Sequence, residues 1–182
     1  MANKPGGGNR ELKVGSKSFL SRRAEYWELM ATTKYREGYF SDMSGGYYLE
    51  EKSSKATDIV EREAGMILAD NGYIAIKKDE AGMDVTVDGY LHRYSFTYEQ
   101  RTPYEGMKKN EMPKSGTPEN IRRALSHAKE KVADFAIIYM KHNKHTVQSV
   151  KDGIRLFEAQ DSYRFNQIII ITKDGRLHKH KH

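Results

Sequence analysis

Cysteine is absent from this chain of 182 residues, so a disulfide framework, a thiolate metal site and a cysteine nucleophile are all excluded. No apolar run approaches the roughly 18 residues that a membrane-spanning helix needs, and the first residues, MANKPGGGNRELK, lack the apolar core of a signal peptide. A Walker loop, a dinucleotide fingerprint and an HExxH motif are also missing. These absences predict a soluble protein with no export signal of its own and no membrane partner, and they give no support to a nucleotide hydrolase or a zinc peptidase.

Positive charge is present in excess and is unevenly distributed along the chain. The net charge is +6, and the sequence pI is about 9.3. Residues 114–182 carry 14 basic and 7 acidic side chains, whereas residues 51–113 carry 9 and 12. A basic patch attracts polyanions through the release of counterions. We therefore expect RNA as the first partner and an acidic protein as the second, against the alternative of an ordinary solvated surface.

The alternating stretch MDVTVDGYLHRYSFTY, residues 83–98, predicts a β-hairpin around Asp88-Gly89. Its apolar and aromatic side chains are expected on one face, which would be buried. The other face would carry polar side chains, with Asp84 directly opposite Arg93. A polar row on a rigid sheet is a suitable place for a site. That row consists of Asp84, Thr86, Arg93, Ser95 and Thr97.

The remaining patterns predict an α/β (α+β) fold with a mixed central sheet. Strand, helix and strand follow one another after residue 116, which implies a right-handed βαβ crossover. Together with the hairpin, two to three packed helices and an N-terminal helical extension complete the predicted architecture. The predicted elements are a helix near 58–70, a strand at 73–76, a long loop at 99–116, a helix from 117 to about 131, a strand at 135–140, a helix at about 146–159 and a strand at 168–172.

The predicted organisation has three parts. Residues 1–44 are expected to form a flexible tail and an accessory helix over FLSRRAEYWELMATTKYR. Residues 45–177 form the α/β domain, with a short strand at Tyr47-Tyr48-Leu49 as the first edge of its sheet. Residues 178–182 are expected to be a basic tail.

The succession ILADNGY, DVTVDG with an aromatic returning strand, NIRRALSHAKEKVADFAIIYM and FNQIIIITKDGRL carries a resemblance across residues 45–177. It resembles the C-terminal nuclease domains of contact-dependent inhibition toxins, and it is similar to nuclease-like domains of phage head-morphogenesis and mobile-element proteins. The resemblance implies a nuclease that acts in the bacterial cytoplasm, often on tRNA, with an acidic immunity or inhibitor protein as a partner. Such domains are grouped with barnase/EndoU/colicin/RelE-like ribonucleases or with PD-(D/E)xK enzymes.

The residues of this family match the sequence in part. Asp84 stands where the family's strand aspartate stands. Many relatives carry an acidic residue at the place of Arg93, and the metal-dependent ones carry a lysine at the place of Ser95, so the E-x-K element is missing here. A Mg²⁺ site needs several carboxylates close together. The polar face offers only Asp84, and the next candidate carboxylate, Glu63, belongs to the first helix of the domain. We therefore expect no metal and no cofactor.

Cleavage of RNA without a metal requires a base for the 2′-hydroxyl, an acid for the leaving oxygen and a cation beside the phosphorane. The predicted catalytic residues are Asp84, Arg93, Ser95 and Thr97, and the alternative for the first two is an exposed cross-strand ion pair. Further nucleic-acid contacts are expected from basic residues of the loop and of the helix after it, namely Arg101, Arg122, Arg123, Lys129 and Lys131.

Two histidines are further candidates for proton transfer. His92 alternates onto the aromatic face, where a packed core histidine is the competing interpretation. His127 lies near the buried stripe of its helix, where a surface role is the alternative. The sequence therefore predicts a metal-independent ribonuclease of toxin or mobile-element type. The alternative is a non-catalytic nucleic-acid-binding module, or a virion or conjugation adaptor, with the same fold.

Overall fold

The structure is a computed structural model that describes residues 11–53, 59–77, 83–87, 90–98, 117–130, 135–140, 146–172 and 174–180. Strands 83–87 and 90–98 are described by their backbone, as are residues 59–61, 127 and 135. The chain divides into two compact units, residues 1–93 and 94–182. The described helices are α1 (Lys17–Ala31), α2 (Ile59–Asp70), α3 (Pro118–Glu130) and α4 (Val147–Gln160). The strands are β1 (Tyr35–Phe40), β2 (Tyr47–Glu51), β3 (Ile74–Lys77), β4 (Met83–Val87), β5 (Tyr90–Tyr98), β6 (Phe135–Tyr139), β7 (Gln167–Ile171) and β8 (Leu177–His180).

In the first unit, strands β1 to β4 are neighbours in chain order. β1 pairs with β2 antiparallel, β2 with β3 parallel, and β3 with β4 antiparallel. Helix α2 makes the crossover that the parallel pair β2 and β3 requires. It packs closely on β2, because a Cβ at Gly65 would lie 2.3 Å from the Tyr48 ring. A glycine at this position therefore lets the helix approach the sheet.

Helix α1 packs with β1, β2 and β3 around an aromatic cluster. The helix begins where Ser16 Oγ accepts a hydrogen bond from the N–H of Phe19 at 3.2 Å. The helix ends at Ala31. The cluster removes large apolar side chains from water, and this burial stabilises the first unit. The buried residues of this cluster are Tyr26, Tyr35, Tyr47, Leu49 and Ile74.

In the second unit, β5, β6 and β7 are parallel neighbours, and β8 returns antiparallel to β7. Helix α3 connects β5 to β6, and α4 connects β6 to β7. Thr146 caps α4 by accepting the N–H of Ser149 at 3.0 Å, while Ser149 Oγ accepts the N–H of Thr146. The apolar runs of β6 and β7 are buried, as expected for parallel strands covered by helices.

The predicted fold class is confirmed, since the structure is α+β with mixed strand pairing and packed helices. Strands β4 and β5 lie on either side of Asp88-Gly89 as the alternation predicts, and the turn itself lies outside the described residues. The loop predicted at 99–116 also lies outside them. Among the residues with a described structure, none belongs to a helix that combines the length and apolarity needed to cross a bilayer.

Three local predictions are wrong, and the first two concern the start of the sheet. The accessory helix was expected to extend to Arg36, but it ends at Ala31, and residues 35–40 form β1 instead. The β-branched pair Thr32-Thr33 disfavours a further helical turn, and pairing with β2 stabilises the strand. Strand β2 is therefore not an edge, because β1 and β3 flank it.

The third wrong prediction concerns the basic tail. Leu177–His180 form β8, although residues from 178 onward were expected to lie outside the sheet. Gly175 adopts φ 82 in the preceding turn, which allows the chain to reverse and pair with β7. The alternating Leu, His and Lys side chains of this strand are compatible with an edge position, where charge is tolerated.

Candidate nucleic-acid-binding site

The predicted catalytic pair lies on β4 and β5. Asp84 pairs in register with Ile76 of β3, which is partly buried against the aromatic cluster of the first unit. Arg93 is the last residue of the first unit and lies on β5. The side chains of Asp84 and Arg93 lie outside the described residues, so their catalytic role stays a prediction.

The two predicted hydroxyl residues lie further along β5, in the second unit. Ser95 pairs in register with Ala136, and Thr97 pairs with Ile138. Both β6 partners belong to the buried cluster that helices α3 and α4 cover. The register therefore fixes the backbone positions of Ser95 and Thr97, while their side chains lie outside the described residues.

The remaining candidates are Glu63, the second candidate carboxylate for a metal, and the two histidines. Glu63 lies half-buried on α2, next to Arg62. His92 lies on β5 and His127 on α3, and the side chains of both fall outside the described residues. Within the part of the chain that the structure describes, no three His, Asp or Glu side chains are grouped so that they could hold a metal ion.

Two of the predicted phosphate-binding arginines share one carboxylate on α3. Arg122 donates from Nε to both carboxylate oxygens of Glu119 at 2.9 Å, and its Nη1 lies 3.4 Å from Ser126 Oγ. Arg123 Nε lies 3.5 Å from the same carboxylate, and its side chain is 60 % exposed. The hydrogen bond from Arg122 lowers the pKa of Glu119 and raises that of Arg122. This group carries a net charge of +1.

Lys129 is anchored differently, because it connects α3 to the end of α4. Its Nζ donates to Asp161 Oδ2 at 2.5 Å. This bond is the largest cause of a lowered pKa at Asp161, and the N–H of Tyr163 contributes next. The remaining predicted contacts, Arg101 and Lys131, lie outside the described residues.

Further exposed cations of the second unit were not singled out from the sequence. Arg155 on α4 is 70 % exposed and lies 3.2 Å from Asp152. Arg176, in the turn before β8, is 80 % exposed and lies 3.2 Å from Asp174. The only sequence signal for them is the local excess of basic residues. That excess is confined to the second unit, where 17 basic residues face 10 acidic ones, against 14 and 15 in the first unit.

The first unit contains a buried carboxylate that sequence analysis missed. The Glu50 side chain on β2 is 0 % exposed. Arg62 of α2 donates to it from Nε at 2.8 Å and from Nη2 at 3.2 Å, and Arg36 of β1 donates from Nε at 3.1 Å. The hydroxyl of Tyr48 donates to the same carboxylate at 2.8 Å. We call these four residues the Glu50 cluster.

Strand register explains how Arg36 reaches Glu50. Tyr35 pairs with Glu51 and Glu37 pairs with Glu50, so the register shifts at Arg36, which has no place of its own in the ladder. Such a bulge changes the direction of the side chains around it. The sequence does contain a hint of this cluster, because two acidic residues, Glu50 and Glu51, stand in an otherwise aromatic and apolar strand. It does not show which basic residues pair with them.

No protein-family model and no curated protein matches the chain. Among solved structures, it is similar to one chain of the CdiA-CT/CdiI toxin and immunity complex from Burkholderia pseudomallei. The sequence identity is 16 %, the TM-score is 0.43, and the similarity covers 69 % of this chain and 89 % of that chain. At this identity, no residue role passes from that protein to this one.

Proposed function

We propose that the chain is an RNA-binding domain of toxin or mobile-element type that cleaves a tRNA-like substrate without a metal ion. The observation that supports RNA binding best is the charge of the second unit, which carries 17 basic against 10 acidic residues. Exposed guanidinium groups are part of this excess. A polyanion gains affinity for such a surface because its counterions are released on binding.

The surface ion pairs of the second unit do not prevent this binding. Arg123, Arg155 and Arg176 are at least 60 % exposed, and each pairs with an acidic residue close to it in sequence. Exposed pairs of this kind contribute little to stability, because water and salt screen them. A phosphate group that accepts two hydrogen bonds from a guanidinium can therefore replace the carboxylate.

The chemical step is assigned to the predicted pair on β4 and β5. Asp84 takes the proton of the 2′-hydroxyl, whose oxygen then attacks the adjacent phosphorus. The bond between phosphorus and the 5′-oxygen breaks, the departing 5′-oxygen takes a proton from water, and a 2′,3′-cyclic phosphate remains on the upstream fragment. Arg93 stabilises the negative charge that develops on the phosphorane, because a guanidinium stays protonated throughout. Ser95 and Thr97 supply hydroxyl groups along the same strand for orientation of the phosphate.

A second function is a non-catalytic nucleic-acid-binding module. It is favoured by the lack of the E-x-K element in the sequence. It is also favoured by the register of Asp84, whose β3 partner Ile76 is partly buried against apolar residues. Both functions require RNA binding by the second unit, so they differ only in whether the bound RNA is cut.

Incubation of total tRNA with the purified chain in EDTA distinguishes the two functions. The ribonuclease assignment predicts defined fragments for the wild type and intact tRNA for Asp84→Ala and Arg93→Ala. Glu28→Ala and Arg23→Ala on the exposed side of α1 are matched controls that should cut like the wild type. Intact tRNA in every lane, together with salt-sensitive gel retardation, would support the binding module instead.

Growth supplies an independent test of the toxin assignment. Expression of the wild-type chain in a bacterial host should arrest growth, whereas Asp84→Ala expressed to the same level should not. Co-expression with an acidic inhibitor protein, taken from a gene that neighbours the gene for this chain, should restore growth. Normal growth at a high level of wild-type protein would contradict a toxic ribonuclease.

A further inference from the structure

We propose that the Glu50 cluster is a phosphate-binding site, in which Glu50 positions Arg62 to contact the RNA backbone. This inference rests on the proposed function, and it adds a contact in the first unit, where the charge count alone predicts none. The ligand is a phosphodiester group of the bound RNA.

Glu50 cannot act as a general base in this arrangement. Its carboxylate is fully buried and accepts hydrogen bonds from Arg36, from two nitrogens of Arg62 and from the Tyr48 hydroxyl. A buried carboxylate that already accepts these hydrogen bonds is not accessible to the 2′-hydroxyl of a bound RNA. Its effect is therefore to fix the two guanidinium groups, which makes it a positioning residue.

Arg62 keeps donors for a ligand after it has bound Glu50. Its Nε and Nη2 are occupied by the carboxylate, and its Nη1 has no acceptor among the described residues. The side chain is 39 % exposed. Because the guanidinium is planar and rigid, the bonds to Glu50 also fix the direction of the two N–H groups on Nη1. An anion that binds there finds donors that are already ordered.

The cluster lies where ligand sites of βαβ units are commonly built. Glu50 is near the carboxyl end of β2, and its register partner Lys77 is the last residue of the parallel strand β3. Arg62 is near the amino-terminal end of α2, the helix that connects these two strands. The carboxyl ends of parallel strands and the amino ends of the following helices favour anionic ligands.

The competing interpretation is an internal ion pair that only stabilises the fold. The two interpretations differ in how RNA affinity depends on salt. Each phosphate contact that is lost lowers the slope of log K against log salt by about 0.7 to 0.9. A purely structural pair can change stability, but its loss leaves this slope unchanged in any variant that still folds.

The test measures gel retardation of tRNA by the full chain between 50 mM and 300 mM salt. Arg62→Gln should lower the slope by about 0.7 to 0.9 and weaken binding about fivefold at 0.1 M salt. Arg62→Lys keeps the charge, so its slope should stay close to that of the wild type. Arg23→Gln on α1 is the matched control and should behave like the wild type.

The possible outcomes separate the two proposals. A wild-type slope in folded Arg62→Gln, with binding otherwise intact, overturns the phosphate site and leaves the proposed function standing. Absence of retardation by the wild type at 50 mM salt overturns RNA binding itself. If Arg62→Gln does not fold, as judged by urea unfolding, the wild-type chain is treated with phenylglyoxal, which modifies guanidinium groups, and the rate at Arg62 is read by mass spectrometry. Bound tRNA should slow the modification of Arg62 several-fold and leave that of Arg23 unchanged. Equal rates at Arg62 with and without tRNA overturn the phosphate site.

Discussion

Replacement of Glu50 by glutamine tests whether the buried carboxylate holds the first unit together. The variant keeps the shape of the side chain and one carbonyl oxygen, but it removes the charge that balances Arg36 and Arg62. Loss of one partner from a buried ion pair costs about 3–5 kcal/mol. The guanidinium side chains are 27 % and 39 % exposed, so water solvates part of their charge once Glu50 is neutral. We therefore expect Glu50→Gln to lower the free energy of unfolding by about 2–3 kcal/mol.

Urea unfolding followed by far-ultraviolet circular dichroism measures this change. Glu28→Gln makes the same chemical change on the exposed side of α1 and should alter the free energy of unfolding by less than about 0.5 kcal/mol. The slope against urea should stay constant, since the surface that unfolding exposes is the same. A Glu50→Gln variant as stable as the control would refute the conclusion that this carboxylate anchors β1, β2 and α2.

Three further predictions concern packing, capping and pH. Gly153→Ala should destabilise the second unit by about 1–2 kcal/mol in urea unfolding, because the new Cβ would lie 2.4 Å from Ile121 Cβ, and this overpacking outweighs the better helix propensity of alanine. Thr146→Ala removes the cap of α4 and should cost about 1 kcal/mol in the same assay, whereas Thr146→Ser should cost little. Burial, together with a hydrogen bond from the Tyr39 hydroxyl to Asp70, raises the pKa of Tyr39 to about 12. The free energy of unfolding should therefore be constant below about pH 10 and fall between about pH 10 and 12, where the unfolded chain loses this proton first. Tyr39→Phe should weaken that fall.

Local patterns explain why much of the sheet could be predicted from the sequence. The alternation of residues 83–98 predicts β4 and β5, because a period of two residues specifies a strand. The apolar runs of β6 and β7 predict buried parallel strands, and Thr117-Pro118 marks the start of α3. In each case the information lies within a few consecutive residues, so no knowledge of distant neighbours is needed.

Features that depend on distant pairing could not be predicted in this way. Strand β1 has the mixed sequence YREGYF, and its pairing with β2 decides its conformation. The Glu50 cluster requires residues from β1, β2 and α2 to meet, and the contact between Arg36 and Glu50 depends on a bulge. Such contacts follow from register, which the sequence of one strand does not specify by itself.

The chemical groups at the ends of the RNA fragments distinguish attack by the 2′-hydroxyl from hydrolysis at a metal site. Attack by the 2′-hydroxyl leaves a 2′,3′-cyclic phosphate on the upstream fragment and a 5′-hydroxyl on the downstream fragment. Hydrolysis by water at a metal site gives a phosphate monoester at the cleaved end and no cyclic product. We predict that tRNA treated with the wild-type chain in EDTA gives fragments with a 5′-hydroxyl and a 2′,3′-cyclic phosphate. Intact tRNA in EDTA, or fragments that form only with Mg²⁺ and carry a 5′-phosphate, would contradict it.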